Sequence, residues 1–383
     1  MSHDSPDRSL PPRPTAARRV GPALAVLGAL ALAVLGAPAP APAAQPAAAA
    51  PEPTAAERVT ALVSDLLEVT ALPSFSVAIL DGGEIAYARA LGFADLAAQR
   101  PASAATRYRA ASVSKVLTAT LLGRLVQQKR IDLDAPLAEL VPGFPDAEGI
   151  RPRLLAGHLA GIGYYQGQDE IDRDHHYASV TEALETFRDS PRAGAPGEAY
   201  HYTTHGYTLL AAAIEGATGE SFLELLRREV FEPLAMTSTG PDLRSSPHPE
   251  DATLYNLFVR EPVPVPKPED PSYKWAGGGM VSTPGDLARL ARGYLDGGFL
   301  EPTTVGAMWT PQRTAGGEET GVGIGWRIQD EPGGRRLVHH AGSMGGARSV
   351  LIILPDETRA IATMTNSMWA SSVEANALRL LDA

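Results

Sequence analysis

Apolar side chains return at helical spacing along residues 55–69, with Val59, Leu62, Val63 and Leu66 on one side, and the pattern predicts an amphipathic helix. The next apolar runs, 76–80 and 84–90, are short and bracket Asp81-Gly82-Gly83, which predicts a β-hairpin. The same arrangement returns near the C-terminus. Runs 325–329 and 336–340 flank Pro332-Gly333-Gly334, and runs 349–354 and 359–365 flank Pro355-Asp356-Glu357-Thr358. Residues 372–381 then predict a closing helix. Helical patterns fill the middle. Residues 116–122 and 208–217 are apolar runs of this kind. Ser221-Phe222-Leu223-Glu224 has the form of a capping box, and Ser282-Thr283-Pro284-Gly285-Asp286 opens a helix over 287–294. The Pro-rich segment 261–271 predicts an extended loop. Hairpins from the two chain ends can pair as one antiparallel sheet, with the middle as a helical lobe, which makes the fold class α+β. There is no internal repeat.

The N-terminus follows a different logic. Arg13, Arg18 and Arg19 precede an Ala/Leu-rich run over 20–36, and small residues follow with Ala-Pro-Ala at 37–39 and 41–43. That is the order of a signal peptide, expected over 1–44, with an uncleaved anchor as the alternative. A Pro/Ala-rich linker is expected over 45–54, and one domain over 55–383. The location expected is exported, secreted or periplasmic. The 383 residues carry a net charge of −11, which argues against nucleic acid and anionic membranes as main partners. Membrane contact is expected only if the N-terminal apolar segment is retained. The chain has no cysteine, so disulfides, thiolate catalysis and cysteine-based metal sites are excluded.

Ser112-Val113-Ser114-Lys115 opens the 116–122 helix pattern. Residues three apart share a helix face, so the Ser112 hydroxyl and the Lys115 amine can meet. A lysine whose charge is disfavoured by burial or by nearby cations can act as base for a serine nucleophile. The helix N-terminus suits a developing oxyanion. Tyr202-Thr203-Thr204-His205-Gly206-Tyr207 lies at a loop-to-helix corner, where nearby cations would lower the phenol pKa of Tyr202 and let it share a proton with a serine. His339-His340-Ala341-Gly342-Ser343 ends a predicted strand, and an N–H there could complete an oxyanion hole with that of Ser112. Taken singly, each of the last two also fits a packed corner tyrosine or a glycine-rich turn. His158, His175 and His176 with Asp172 and Asp174 match no metal-ligand spacing, and no metal or cofactor is expected.

The order Ser-x-x-Lys, then Tyr, then a strand-borne His-x-Gly resembles the serine β-lactamase and penicillin-binding superfamily, in its class C-like branch. The resemblance runs from about Ala55 to the end and includes stretches 154–162, 276–283 and 323–326. Segments 157–162, 202–210 and 272–283 resemble the mitochondrial serine β-lactamase-like proteins and their bacterial relatives. It implies Ser112 as acylated nucleophile, Lys115 as the lysine that deprotonates it, and Tyr202 as base or proton shuttle. His340, Ala341 and Gly342 take the place of a Lys-Thr-Gly strand, which makes His340 a catalytic candidate. The N–H groups of Ser112 and Ser343 become the oxyanion hole. Thr204 stands where an asparagine is usual, and Thr204 and Gly342 are expected to face substrate. Tyr273 and Trp275, between the prolines and Gly277-Gly278-Gly279, are expected in the substrate-facing wall, with packing onto the helical lobe as the other reading.

The resemblance thus implies a serine hydrolase for small peptides, amides or esters, with weak or no action on β-lactams. The alternatives are a catalytically silent binding or scaffold protein on the same fold, and a penicillin-binding D,D-carboxypeptidase. The oligomeric state is left open.

Overall fold

The computed structural model describes residues 52–165 and 171–383, so the signal segment expected at 1–44 and most of the 45–54 linker lie outside the described residues. The first helical pattern becomes α1, Ala55–Thr70. Thr54 and Glu57 close its start reciprocally: the Glu57 N–H donates to Thr54 Oγ1 (3.3 Å) and the Thr54 N–H to Glu57 Oε2 (2.8 Å). Strands β1, Ser74–Asp81, and β2, Glu84–Asp95, follow. Gly82 and Gly83 join them with φ +57° and +85°. A two-residue turn with both φ positive matches strand twist, and glycine enters it without a Cβ clash. A short β3, Arg100–Pro101, completes this half of the sheet.

The C-terminal runs become β4, Arg327–Asp330, β5, Arg336–Met344, β6, Ala347–Leu354, and β7, Arg359–Thr365. The seven strands order as β3-β2-β1-β7-β6-β5-β4, every pair antiparallel. The two chain ends therefore meet at β1 and β7, where Ala78 lies opposite Ala362.

Both faces of the central strands are covered, which explains why they read as continuous apolar runs. One face carries Phe75, Val77, Val350, Ile352 and Ile361, packed against Val59 and Val63 of α1 and against the C-terminal helix, Val373–Leu381. The other face, with Leu80, Leu351, Ile353, Ala360 and Ala362, joins the core of the helical lobe. At the centre of that lobe lies α2, Ser114–Gln127, most of whose residues are buried, including Val116, Leu117, Leu121 and Leu122. A helix apolar around its circumference must sit inside. Helices His205–Thr218 and Pro284–Leu295 flank it, the second capped by Thr283 Oγ1, which accepts from the Asp286 N–H at 3.1 Å. Among the described residues no helix is long and apolar enough to cross a membrane.

Two local expectations are corrected. Ser221 makes no side-chain cap; the Phe222 N–H donates instead to Glu215 Oε1 at 2.9 Å, from the preceding helix. The segment 261–271 is not wholly loop. Glu261–Pro264 pairs with Tyr255–Phe258 as a separate hairpin, because prolines are tolerated on an edge strand whose outer N–H groups have no partner.

Candidate active site

Ser112 sits in a 3₁₀ turn, Ala111–Val113, that runs directly into α2. Ala111 precedes it with φ +47°, a left-handed conformation that costs of order 1–3 kcal/mol for a residue with a Cβ. The surroundings impose it. The Ala110 N–H donates to Met280 O at 2.8 Å, and Ser349 Oγ donates to Ala110 O at 2.6 Å. The turn leaves Ser112 half-exposed between buried Ala111 and Val113.

Lys115 is fully buried. Its Nζ lies 2.6 Å from Gly277 O, 3.1 Å from Thr204 Oγ1 and 3.4 Å from Ser112 Oγ. A neutral amine has two N–H donors and one lone pair. With Gly277 O and Thr204 Oγ1 taking the donors, the lone pair is left for the Ser112 hydroxyl. Burial, helped by the Arg327 charge, pulls the amine down to about 7, so a substantial neutral fraction exists near neutral pH. Thr204 is thus placed differently from its expected substrate-facing role. It is buried, its hydroxyl engages the lysine, and it positions the base.

The Tyr202 phenol stands beside the Ser112 hydroxyl, and its ring centre is 4.9 Å from Lys115 Nζ. Burial raises its pKa, against the opposing pull of Ser112 and Arg327, so the expected acidification by cations is overruled by desolvation. Tyr202 remains a neutral phenol, suited to relaying a proton rather than to storing a negative charge. Beneath it lies His158, ring centres 4.5 Å apart. His158 Nδ1 accepts from the Thr203 N–H at 3.2 Å, and its O accepts from the His201 N–H at 2.8 Å, so this buried histidine holds the loop that presents Tyr202. Burial and the Lys115 charge keep it neutral. His175 and His176 sit elsewhere, against Glu182 and Asp270. Among the described residues no group of three acidic or histidine side chains is arranged to hold a metal ion.

His340 reaches the site on β5, its ring 6.4 Å from that of Tyr202. Its Nδ1–H donates to Ala341 O at 2.8 Å, and burial with the Lys115 charge drives its pKa down to about 3. It is a neutral wall residue and does not replace the cation of a Lys-Thr-Gly strand. Gly342 explains how β5 and the nucleophile approach each other: a Cβ there would lie 2.5 Å from Ala110 O and 2.9 Å from the Ser112 N. Ser343 follows, exposed, on the same strand.

Tyr273 and Trp275 are 1% and 3% exposed. Tyr273 packs with Ile171, Tyr177 and Ala183 and donates to Glu269 Oε2 at 3.1 Å, while Trp275 belongs to the main core. The packing reading holds for both, and neither offers a wall to substrate.

One residue that the sequence pattern did not single out is Arg327. It begins β4, is exposed, and stands with Cζ 5.7 Å from the Tyr202 ring centre. Its charge bears on Lys115, Tyr202 and His340. Since it disfavours protonated Lys115, Arg327→Gln should let the lysine pKa rise. The rising limb of kcat/KM for ester hydrolysis is expected to move up by about half a pH unit or more. A profile unmoved by the substitution would mean that the lysine does not feel this charge.

A Beta-lactamase family model matches residues 59–383. The human mitochondrial serine beta-lactamase-like protein LACTB is 26% identical, over 74% of this chain and 69% of its own length. Esterase EstB of Burkholderia gladioli is 29% identical over 78% of this chain and 88% of its own. In fold, the D-amino acid amidase of Ochrobactrum anthropi SV3, solved with L-phenylalanine amide, superposes with a TM-score of 0.73 at 23% identity, over 85% of this chain and 98% of its own. With the match running from residue 59 to the C-terminus and Ser112, Lys115 and Tyr202 drawn together at one site, the chain belongs to the Beta-lactamase family and is a serine hydrolase.

Proposed function

We propose that the enzyme hydrolyses small esters, amides or short peptides through a Ser112 acyl-enzyme, with little action on β-lactams. The observation that carries this reading is the fully buried Lys115 amine, 2.6 Å from Gly277 O, 3.1 Å from Thr204 Oγ1 and 3.4 Å from Ser112 Oγ. Ser112 Oγ attacks the substrate carbonyl carbon as its proton passes to Lys115 Nζ. The oxyanion is received by the N–H groups of Ser112 and Ser343. The bond to the leaving group breaks, and Tyr202, reprotonated from Lys115, hands that group its proton. Water then attacks the acyl carbon and gives up a proton through the same pair, releasing the acid and restoring the Ser112 hydroxyl.

Substrate preference follows from what the cleft lacks. His340 is neutral and the Thr204 hydroxyl is turned to Lys115, so neither supplies the cation or the amide that would grip a β-lactam carboxylate. Besides Lys115, Arg327 on β4, paired with His339 of β5, places its charge 5.7 Å from the Tyr202 ring centre. Simple p-nitrophenyl esters are expected to exceed nitrocefin in kcat/KM by roughly tenfold or more, the size of effect that missing polar contacts give. A higher value for nitrocefin would sink this preference. Its relatives support the same range: an esterase and a penicillin-binding protein.

A further inference from the structure

The hairpin Tyr255–Phe258/Glu261–Pro264 holds apolar surface that the catalytic reading does not use. Nine large apolar side chains are exposed among the described residues, and four of them fall within 257–263: Leu257 (44%), Phe258 (70%), Val259 (80%) and Val263 (39%). That concentration separates the hairpin from an ordinary surface, where exposed apolar residues are scattered. Its tip is also strained. Val259 and Arg260 form the turn with φ +48° and +71°, where Asn-Gly would be at ease and a β-branched residue is an outlier.

We propose that this hairpin inserts its tip into a neutral, zwitterionic lipid surface. Three observations choose that occupant over a second copy of the chain. Successive residues of a strand point to opposite faces, so Leu257 lies on one face and Phe258 and Val263 on the other. A flat protein partner covers one face of such a wedge, whereas lipid surrounds both. The exposed apolar surface amounts to roughly 400 Å², about half of what each partner of a stable dimer contributes. Pro262 and Pro264 stand opposite Leu257 and Tyr255, the pairs whose N–H groups point outward in a two-residue hairpin, so this edge cannot extend its ladder to another chain. The net charge of −11 disfavours an anionic surface, while exposed Arg260 at the tip can reach a lipid phosphate.

The hairpin is joined to the catalytic edge of the sheet. The turn after β5 rests on its base: a Cβ on Gly346 would fall 2.4 Å from Leu254 Cβ. Gly346 lies three residues beyond Ser343, so insertion of the tip would bring that rim of the cleft to the lipid boundary. The proposal concerns where the enzyme works, and it holds whichever ester or amide is cleaved.

The absence of native cysteine makes a direct test clean. Val259→Cys in the full chain takes one environment-sensitive fluorophore. Phosphatidylcholine vesicles are expected to shift its emission to the blue, and nitroxides on the lipid chains to quench it. The same label at Val69→Cys, also exposed, should stay in water. Adding Phe258→Ser to the labelled chain should raise the lipid concentration for the half-maximal shift at least tenfold. A label at 259 that stays in water with vesicles present overturns the proposal. So does a blue shift without lipid that grows with protein concentration, which would assign the hairpin to a second copy, and so does an equal response at Val69.

Discussion

Ser112→Ala is expected to remove covalent labelling by a fluorophosphonate altogether and to lower ester turnover by roughly a thousandfold or more. The assignment rests on reach. Lys115 Nζ lies 3.4 Å from Ser112 Oγ, and the Tyr202 phenol stands beside the same hydroxyl. The nearby serines have neither neighbour. Ser114 is buried, and its Oγ accepts from the Met280 N–H at 3.2 Å. Ser343 is exposed on β5 and is assigned a role only through its backbone N–H. Loss of one half-exposed hydroxyl should change stability by less than about 1 kcal/mol, so the variant should fold normally. Intact-mass measurement reads the adduct and thermal unfolding reads the fold. An adduct that persists and maps to Ser114 or Ser343 would displace Ser112 from its role.

What could be read from the chain beforehand was what local chemistry fixes. The turn at Gly82-Gly83 follows from two adjacent residues that accept positive φ, and the pairing of Ser112 with Lys115 follows from spacing along one helical turn. The sheet was legible because its strands lie at the chain ends as apolar runs between turn residues. Contacts between distant segments were not legible. Arg327 follows buried Trp326, and only the pairing of β4 with β5 brings it to Tyr202. His158 fits no ligand spacing along the chain, and only the return of the chain at 201–203 makes it a support for Tyr202. Tyr273 and Trp275 lie within four residues of Gly277, which does touch Lys115, but proximity along the chain does not fix the direction of a side chain. The Ser221 cap failed for the same reason, since Glu215 from the previous helix competes for the Phe222 N–H.

Lys115→Met should separate catalysis from stability. Removing the base is expected to slow acylation by about 10²–10⁴-fold. Stability should move the other way at low pH. An amine that titrates at about 7 in the fold and at 10.5 when exposed binds its proton more weakly in the folded chain. Folding is therefore opposed most strongly below pH 7, and the opposition fades as pH rises towards 10.5, where both states become neutral. Its size below pH 7 is a few kcal/mol. Methionine is close in shape and carries no charge, but it leaves Gly277 O without the Nζ donor, a loss of about 1–3 kcal/mol. At pH 6 the first effect should exceed the second, and the variant should be more stable by about 1–2 kcal/mol. At pH 10 only the lost hydrogen bond remains, and the variant should be the less stable of the two. Urea unfolding of both proteins at the two pH values measures the crossing. A variant less stable by the same amount at both would mean that Lys115 titrates like a lysine in water, and the base would have to be sought elsewhere.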